Sequence, residues 1–280
     1  MRPLISFLSD FGLEDEFVGT CHGVIAGICP DARVIDLTHG IEPQAVSQGA
    51  RVLAGAMRYL PPGIHLAVVD PGVGSERRAL ALRSHDGRSF VGPDNGLLLP
   101  AAEASGGIAS AHTISEPRFM LREVSRTFHG RDVFAPVAAH LAAGVEPRQL
   151  GPELDAATLV RPQFPGHTIF GTAVEAAIEH VDRFGNVRLS VSVDELGELF
   201  DAGRLVEIDT GDDRYYARCA ATFADVGAGE FVLFEDSAGA AAIAINRGSA
   251  ADLIAAGRGR SVRVEFEPQQ SDWLDGRALP

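Results

Sequence analysis

The chain has 280 residues and a formal net charge of -14, and all 24 of its cationic side chains are arginine. Because lysine is missing, the chain cannot form a Schiff base, anchor pyridoxal phosphate or complete a Walker A phosphate loop. The acidic balance, with no basic stripe of arginines, also disfavours nucleic acid as a partner. Several large enzyme classes are therefore excluded, while the 46% hydrophobic content is typical of a globular protein.

The cysteines and the N-terminus predict a cellular location. Cys21, Cys29 and Cys219 form an odd set without C-x-x-C spacing, which favours neither a disulfide framework nor a zinc knuckle. The apolar run Leu4–Leu8 is too short for a signal sequence, and no apolar stretch approaches about 18 residues. We therefore expect a cytoplasmic protein that does not enter a membrane.

The first half alternates short apolar runs with helical patterns. Continuous apolar runs, typical of buried parallel strands, occupy Leu4–Leu8, Val34–Leu37 and Ile64–Val69. Apolar residues at helical spacing predict helices over Phe17–Ile28, Val46–Leu60 and Val133–Ala143. Two further strands are predicted at Ala79–Leu82 and Ser89–Val91. We predict an α/β sandwich with a mainly parallel sheet over residues 1–160.

The second half has a different sequence pattern, with short β-type runs separated by turns. Three prolines lie between Gly151 and Gly166, and we place a linker at residues 161–166. Short β-type runs then predict a small β-barrel over residues 167–267 and a mobile polar tail over 268–280. The predicted strands are Thr168–Ile178, Asn186–Val191, Leu205–Ile208, Arg214–Ala221, Phe231–Phe234, Ala241–Ile245 and Val262–Phe266.

Candidate ligand-binding residues directly follow the apolar runs, because ligands of open α/β sheets bind beyond the carboxyl ends of the strands. Asp10 is placed to accept hydrogen bonds from a ribose diol, or else to cap the next helix. Asp70 begins the run Asp-Pro-Gly-Val-Gly-Ser-Glu-Arg. Arg77 at its end can fold back onto Asp70, either at a ligand site or as a structural ion pair. Arg77 also stands where a dinucleotide motif needs its third glycine, which argues against NAD.

Further candidates lie in later turns. His129, beside a glycine at a predicted helix entry, suits proton transfer near neutral pH, or else caps the helix. The other histidines show no metal-ligand spacing, and we expect no metal site. In the second half, Phe184, Asn186 and Phe223 are suited to hold a planar base, although either phenylalanine also fits a core. Ser237, in the turn Asp-Ser-Ala-Gly, offers a hydroxyl to a small carboxylate, or else caps a turn.

Five motifs taken together carry a family resemblance. They are Ser9-Asp10-Phe11-Gly12, Val69-Asp70-Pro71-Gly72-Val73-Gly74, Gly92-Pro93-Asp94-Asn95-Gly96, Phe128-His129-Gly130-Arg131-Asp132 and Asp182-Arg183-Phe184-Gly185-Asn186. In this order, from about Pro3 to Phe266, they resemble the S-adenosylmethionine hydroxide adenosyltransferases, hydrolase relatives of the fluorinase and chlorinase.

The resemblance implies that water displaces methionine from C5′ of S-adenosylmethionine, without a cofactor. It implies a catalytic triad of Asp70, Arg77 and His129. It implies that Asp10 binds the ribose and that Asn186 and Phe184 bind adenine, with Phe223 stacking on the base. It further implies that Asp182 and Ser237 bind the methionine end. Asn95 is a further substrate-binding residue that it implies. It also implies a homotrimer, with each site between the N-terminal domain of one subunit and the barrel of its neighbour.

The chain departs from the family pattern in two places and leaves alternatives open. Cys21-His22-Gly23 stands where relatives often have Met-Lys-Gly, and Asp236-Ser237 where they often have Asn-Ser. The alternatives are a halide-using enzyme, a metal-dependent nucleoside or phosphoester hydrolase using Asp10, Asp70 and His129, and a non-catalytic adenosine-binding module. Arginine stays protonated, so either Asp70 or His129 would accept the proton of water.

Overall fold

A computed structural model of the chain describes residues 2–254, 257 and 260–267. Its two compact units meet in sequence between Gln163 and Phe164, and each is described by itself. The tail predicted at 268–280 lies outside the described residues.

The N-terminal unit is built on a six-stranded sheet. Its strands are β1 (Leu4–Ser9), β2 (Arg33–Thr38), β3 (Ile64–Val68), β4 (Ala79–Ser84), β5 (Ser89–Pro93) and β6 (Ile108–Thr113). They lie in the order β2-β1-β3-β5-β4-β6. The first four in this order are parallel, and β4 runs antiparallel to both β5 and β6. The predicted mainly parallel sheet is confirmed.

Helices cover both faces of this sheet. They are α1 (Phe17–Ile28), α2 (Val46–Ala56), α3 (Leu99–Ala104) and α4 (Ala135–Ala142), with 3-10 turns at Pro117–Phe119, Pro147–Gln149 and Ala156–Thr158. Phe7 of β1 packs on the face covered by α1 and α4, and its neighbour Leu8 packs on the face covered by α2 and α3. This alternation explains why the central strands are continuous apolar runs.

The observed elements of the N-terminal unit differ from the predicted ones in three respects. Helix α2 ends at Ala56 rather than Leu60, and α3 and β6 were not predicted. Both missed elements are rich in small residues, which give weak periodicity. The predicted helix at Val133–Ala143 begins earlier, as a π-helical turn over Gly130–Phe134 in which the Ala135 N–H donates to the Gly130 carbonyl.

The C-terminal unit is a closed barrel. Its strands are β7 (His167–Phe170), β8 (Ala173–Val181), β9 (Val187–Ser192), β10 (Leu205–Asp209), β11 (Arg214–Cys219), β12 (Phe231–Glu235), β13 (Ala240–Ile245) and β14 (Ser261–Phe266). The order β14-β10-β11-β12-β13-β9-β8 closes through pairing of β14 with β8, which confirms the predicted barrel. Short helices α5 (Val193–Leu196) and α6 (Ala250–Leu253) complete the unit.

One predicted strand of the barrel is a hairpin. The run Thr168–Ile178 was expected to be a single strand, but β7 pairs antiparallel with β8 across a turn that contains Gly171. The barrel interior takes alternate residues, so Val187 and Leu189 point inward. A smaller apolar cluster lies outside this core. It joins residues of β12 and β13 to two residues of neighbouring loops, and it consists of Ala220, Val226, Val232, Phe234, Ala242 and Ala244.

No helix in the described part of the chain combines the length and apolar content needed to cross a bilayer. The three cysteines are buried free thiols. Burial raises the pKa of Cys21 and Cys219 to about 12, so these two thiols are not nucleophilic at neutral pH.

A buried histidine in β3 makes the N-terminal fold sensitive to acid. The Nδ1 atom of His65 lies 2.8 Å from Ser6 Oγ, and its ring centroid lies 5.1 Å from that of Phe90. Among the described residues, the His65 Nε2 atom has no hydrogen-bond partner. Burial, together with the charge of Arg88, lowers the pKa of His65 to about 4.

Between pH 7 and pH 5, the free energy of unfolding is expected to fall more for the wild-type protein than for the His65→Gln variant. The unfolded histidine takes up a proton near pH 6.5, whereas the folded one resists until about pH 4. Stability present at pH 7 is therefore lost as the pH falls, by about 2 kcal/mol at pH 5. Urea unfolding at pH 7 and pH 5 measures this difference, with the exposed His85→Gln as control. Equal pH slopes for wild type and His65→Gln would contradict the assignment.

Candidate active site

The loop after β3 folds back so that Arg77 meets Asp70. Arg77 Nε donates to Asp70 Oδ1 at 3.0 Å, and Arg77 Nη2 donates to Asp70 Oδ2 at 2.5 Å. The two side chains are only 6% and 10% exposed for Asp70 and Arg77. The predicted pairing is therefore a bidentate ion pair shielded from water, a geometry that fixes the carboxylate plane.

His129 completes a continuous triad. Arg77 Nη2 also lies 2.9 Å from Nδ1 of His129. A guanidinium group can only donate, so Nδ1 must be the acceptor and the neutral ring carries its proton on Nε2. Burial and the adjacent Arg77 charge lower the pKa of His129. The ring is therefore neutral at physiological pH and presents an Nε2–H donor.

Aromatic packing holds the His129 loop against the end of β1. The Phe128 ring lies 5.6 Å from that of Phe11 and 5.1 Å from that of Phe17, both edge to face. At Gly130 a Cβ atom would lie 2.7 Å from the Phe11 ring. Glycine is thus required for the close approach of two of the predicted motifs, Ser-Asp-Phe-Gly and Phe-His-Gly-Arg-Asp.

Asp10 lies in the same electrostatic environment as the triad. Its Oδ2 accepts a hydrogen bond of 2.9 Å from the Gln44 N–H. Burial raises the pKa of Asp10, and the charge of Asp70 acts in the same direction. Because β1 and β3 are adjacent parallel strands, the carboxylates that follow them meet at one edge of the sheet.

Asn95 supports this edge through the backbone. Its Nδ2 donates to the Val69 carbonyl at 2.8 Å, and its Oδ1 accepts from the Leu97 N–H at 3.2 Å. The first bond fixes the peptide directly before Asp70. The observed contacts of Asn95 are thus those of a residue that positions Asp70, and its predicted contact with substrate stays a prediction.

Asp132 is a buried residue that the sequence reasoning left out of the site. Its oxygens accept hydrogen bonds from Arg131 Nε at 2.7 Å, from Arg131 Nη2 at 3.1 Å and from the Ser125 N–H at 2.8 Å. Its charge also favours the protonated form of His129, opposing the effect of Arg77. The sequence did contain a signal for this role, because Asp132 is a charged residue of the Phe-His-Gly-Arg-Asp motif directly before an apolar helix.

In the barrel, Asp182 organises the turn between β8 and β9. Its Oδ1 accepts from the backbone N–H groups of Phe184 at 2.8 Å and Asn186 at 2.9 Å, and its Oδ2 accepts from Asn186 Nδ2 at 2.8 Å. An amide nitrogen carries two hydrogens, so the Asn186 side chain keeps one N–H and its carbonyl oxygen. These two groups can form hydrogen bonds with the edge of a planar ligand. The Phe184 ring, at the tip of the turn, is 77% exposed.

The other two barrel candidates lie beside β12. Phe223 is partly exposed, and its ring centroid lies 4.7 Å from that of Phe234. Ser237 is exposed in the turn between β12 and β13, which Asp236 Oδ1 caps by accepting from Ala238 N–H and Ala240 N–H. Since β9, β13 and β12 are neighbours, the structure brings the barrel motifs to adjacent strands.

An ion-pair network that the sequence did not predict adjoins this turn. Arg188 Nε lies 3.4 Å from Asp236 Oδ2 and 3.7 Å from Glu179 Oε2. Arg188 follows Val187 and faces away from the barrel core, as strand alternation requires. The negative charge that distinguishes Asp236 from the usual family residue is therefore partly neutralised.

Fold and site together define a two-unit protein, an α/β sandwich and a closed β-barrel, with a carboxylate–guanidinium–imidazole centre. Residues 5–151 match the family model of the SAM hydroxide adenosyltransferase N-terminal domain, and residues 176–263 match that of the C-terminal domain. The chain belongs to the SAM hydroxide adenosyltransferase family.

Named relatives agree with this membership. The chain is 47% identical to an (R)-S-adenosyl-L-methionine hydrolase of Salinispora tropica, over 94% of this chain and 97% of the relative. It is 40% identical to one of Thermus thermophilus, over 94% and 100%. It is 30% identical to a fluorinase of Actinopolyspora mzabensis, over 94% and 97%. The crystal structure of an uncharacterized conserved protein from Thermotoga maritima superposes with a TM-score of 0.83 at 36% identity, covering 93% of this chain and 99% of that one.

Proposed function

We propose that this chain hydrolyses S-adenosyl-L-methionine to adenosine and L-methionine. The observation that carries the proposal is the continuous chain of hydrogen bonds from the buried Asp70 through Arg77 to the half-buried His129. The names of the relatives at 40% and 47% identity support the same reaction.

The proposed reaction is a displacement at C5′ of the ribose. A water oxygen forms a bond to C5′ while the C5′–S bond breaks, and the sulfonium leaves as the neutral thioether of methionine. The leaving group needs no acid, because it takes the bonding electron pair and loses its positive charge. Activation is therefore needed for water, which is a weak nucleophile because it stays protonated at neutral pH.

We propose that Asp70 accepts the proton that the attacking water releases. The Nδ1 atom of His129 is occupied by Arg77, and its Nε2 atom carries a hydrogen, so neither nitrogen has a lone pair for a new proton. Each Asp70 oxygen accepts one Arg77 N–H and has another lone pair for water. His129 then orients the water through its Nε2–H, and Arg77 holds both partners in place.

The proposed nucleophile is water rather than halide. Asp70 places a buried carboxylate where the nucleophile must approach, and this charge would repel an anion while accepting hydrogen bonds from water. The Arg77 cation lies against both carboxylate oxygens and would repel a metal ion there, which disfavours the metal-dependent alternative. We therefore propose a reaction without a cofactor.

Substrate recognition is divided between the two units. We propose that Asp10 binds the ribose hydroxyls, and that Phe184, Phe223 and Asn186 hold adenine by stacking and by the amide edge. Asp182 and Ser237 are assigned to the methionine end. The three hydrogen bonds that Asp182 accepts support a second role for this residue, which is to hold Asn186 in place.

We propose that the chain works as a cytoplasmic homotrimer whose neighbouring copies share each site. The exposed Phe184 ring and the buried free cysteines are consistent with a subunit contact and a reducing compartment. Light scattering should give three times the 29.6 kDa chain mass. Mixing the inactive Asp70→Asn and Asn186→Ala variants should restore partial activity if sites are shared, and a monomer mass with no restoration would contradict the assembly.

Labelled water tests the proposed reaction directly. In oxygen-18 water, the enzyme should place the label in the 5′-hydroxyl of adenosine and release methionine. Addition of chloride or fluoride should leave adenosine as the product. A halogenated nucleoside would establish the halide-using alternative, and binding without turnover would establish an adenosine-binding module. Label-free adenosine would reject attack by water.

Activity is expected to fall on the acidic side at a pH below the ordinary histidine value of about 6.5. Protonation of His129 would place a hydrogen on Nδ1 against the Arg77 cation and break their hydrogen bond. Because burial and Arg77 lower the pKa of His129, this loss occurs only in the more acidic range. The profile of kcat/KM against pH measures it. The His129→Gln variant should be slower and lack this acidic limb, and an unchanged limb would refute the assignment.

A further inference from the structure

Two imidazoles and a carboxylate converge at an edge of the N-terminal sheet, in a cluster that shares no residue with the proposed triad. His22 lies on α1, Asp36 lies on the edge strand β2, and His39 follows that strand. The Nε2 atoms of His22 and His39 lie 2.9 Å and 3.1 Å from the same Oδ1 atom of Asp36. All three potential ligand atoms lie within 4.8 Å of one another. We call these three residues the edge cluster.

His39 supplies an independent sign that the edge cluster is built for a ligand. Its side chain is only 3% exposed. Within residues 2–254, 257 and 260–267, its Nε2 atom has no hydrogen-bond partner, because its approach to Asp36 lacks hydrogen-bond geometry. A buried polar atom without a hydrogen-bond partner lowers the stability of the fold unless a bound ligand interacts with it.

The second nitrogen of His39 is held as a metal-binding histidine requires. Its Nδ1 atom lies 2.7 Å from Ser9 Oγ. When Nδ1–H donates to this hydroxyl, the lone pair of Nε2 faces Asp36 and His22. A hydrogen bond at the remote nitrogen fixes the tautomer and ring orientation of many metal-binding histidines.

Packing holds the ligands close to the geometry of a small metal site. The buried Phe7 ring lies 4.7 Å from the His39 ring and 6.1 Å from the His22 ring, and Phe7 is the strand partner of Asp36. Tetrahedral zinc with bonds of about 2.0–2.2 Å separates its ligand atoms by roughly 3.3 Å. The observed 2.9 Å and 3.1 Å from Asp36 need to open by only a few tenths of an ångström. The two Nε2 atoms lie within 4.8 Å of each other, so they need to approach by at most about 1.5 Å.

We propose that the edge cluster binds one divalent transition-metal ion of the zinc class, through two imidazole nitrogens and one carboxylate oxygen. Imidazole ligands select such ions over magnesium and calcium, which prefer all-oxygen sites. The His22 and Asp36 side chains are about two-fifths exposed, so the ion enters from solvent and water completes its coordination. This proposal does not rest on the proposed hydrolase function.

The ion would have a structural role. It would join α1 to β2 and, through His39, to the loop that carries Asp10. That loop is already tied to His39, whose carbonyl accepts the Gly12 N–H at 2.8 Å. Motif spacing could not predict the site, because its ligands come from a helix, a strand and a loop.

Zinc binding by the full-length protein tests the proposal. Protein stripped with a chelator and dialysed against zinc should retain one ion per chain by mass spectrometry and show a raised Tm. Cobalt should give visible absorption bands of a four- or five-coordinate site. In the His22→Lys variant the ammonium group still pairs with Asp36 but offers no lone pair. This variant should fold normally and bind zinc at least about 100-fold more weakly.

The matched control is His85→Lys, which changes an exposed histidine outside the edge cluster and should retain full zinc binding. The proposal is overturned if the wild-type protein retains no zinc, or if His22→Lys binds zinc as tightly as the wild type. A zinc-independent Tm in a wild-type protein that retains the ion would reject the structural role. None of these measurements depends on turnover, so they are independent of the proposed reaction.

Discussion

The Asp70→Asn variant is expected to lose about three orders of magnitude in kcat, with little change in KM. The amide keeps the shape of the carboxylate but cannot accept the proton of water, and general-base catalysis contributes about 10²–10⁴-fold. The same change leaves the Arg77 cation buried without its counter-ion, so the orientation of His129 is also weakened. Quantification of adenosine by chromatography under saturating substrate measures the loss. An Asp70→Asn enzyme within tenfold of the wild-type kcat would remove Asp70 from the role of base.

The chain offers a matched control for a lost buried ion pair. Asp94 accepts from Arg78 Nε at 2.7 Å and from the Val160 N–H at 3.0 Å. This pair resembles Asp70–Arg77 in the burial of the acid, but both Arg78 nitrogens approach the same oxygen, Oδ2, and His129 is not part of the pair. The Asp94→Asn variant should lose stability comparable to Asp70→Asn while its kcat stays within about threefold of wild type. Comparison of the two separates a chemical role from a structural one.

The Gly92→Ala variant is expected to lower the free energy of unfolding by about 3 kcal/mol or more. Gly92 lies in β5, in the middle of the N-terminal sheet, and a Cβ atom there would lie 2.2 Å from the Ala67 carbonyl oxygen. The same Cβ would lie 3.3 Å from Leu98. A backbone oxygen in a central strand cannot move aside without disturbing the ladder, so overpacking here is at the costly end of its range. Since total stability is about 5–15 kcal/mol, this loss would be easily detected.

Gly55→Ala is the control for Gly92→Ala. Gly55 is exposed in α2, and a Cβ atom there meets no described atom within 4 Å. Alanine favours a helix over glycine by up to about 1 kcal/mol, so this variant should be as stable as wild type or slightly more so. Urea unfolding of both variants measures the contrast. Equal stabilities would show that β5 adapts to a side chain at Gly92.

Much of the fold and part of the candidate site follow from local patterns in the sequence. Continuous apolar runs predicted the parallel strands, because both faces of the sheet are covered by helices. The same logic placed Asp10 and Asp70 at neighbouring strand ends, where the structure has them. The pairing of Asp70 with Arg77 was also predictable, since a glycine-rich loop of seven residues can return to its start.

Other features depend on contacts that no local pattern contains. The bond between Arg77 and His129 joins residues 52 positions apart, and the tautomer of His129 follows only from this contact. The hairpin at Gly171 was missed because both of its strands carry β-type residues without a clear break. The pairing of Arg188 with Asp236 and Glu179 depends on which face of β9 points outward, and thus on barrel register.

The π-helical turn over Gly130–Phe134 sets the angular position of His129. Each residue of an α-helix turns the chain by about 100°, and a π turn holds one more residue between bonded groups than an α turn does. Removal of a single residue from this turn would restore α geometry and rotate His129 by about a quarter of a revolution relative to α4. The imidazole would then no longer point toward Arg77, although every side chain of the triad was still present. The alignment of the triad therefore depends on the length of this turn as much as on the identity of its residues.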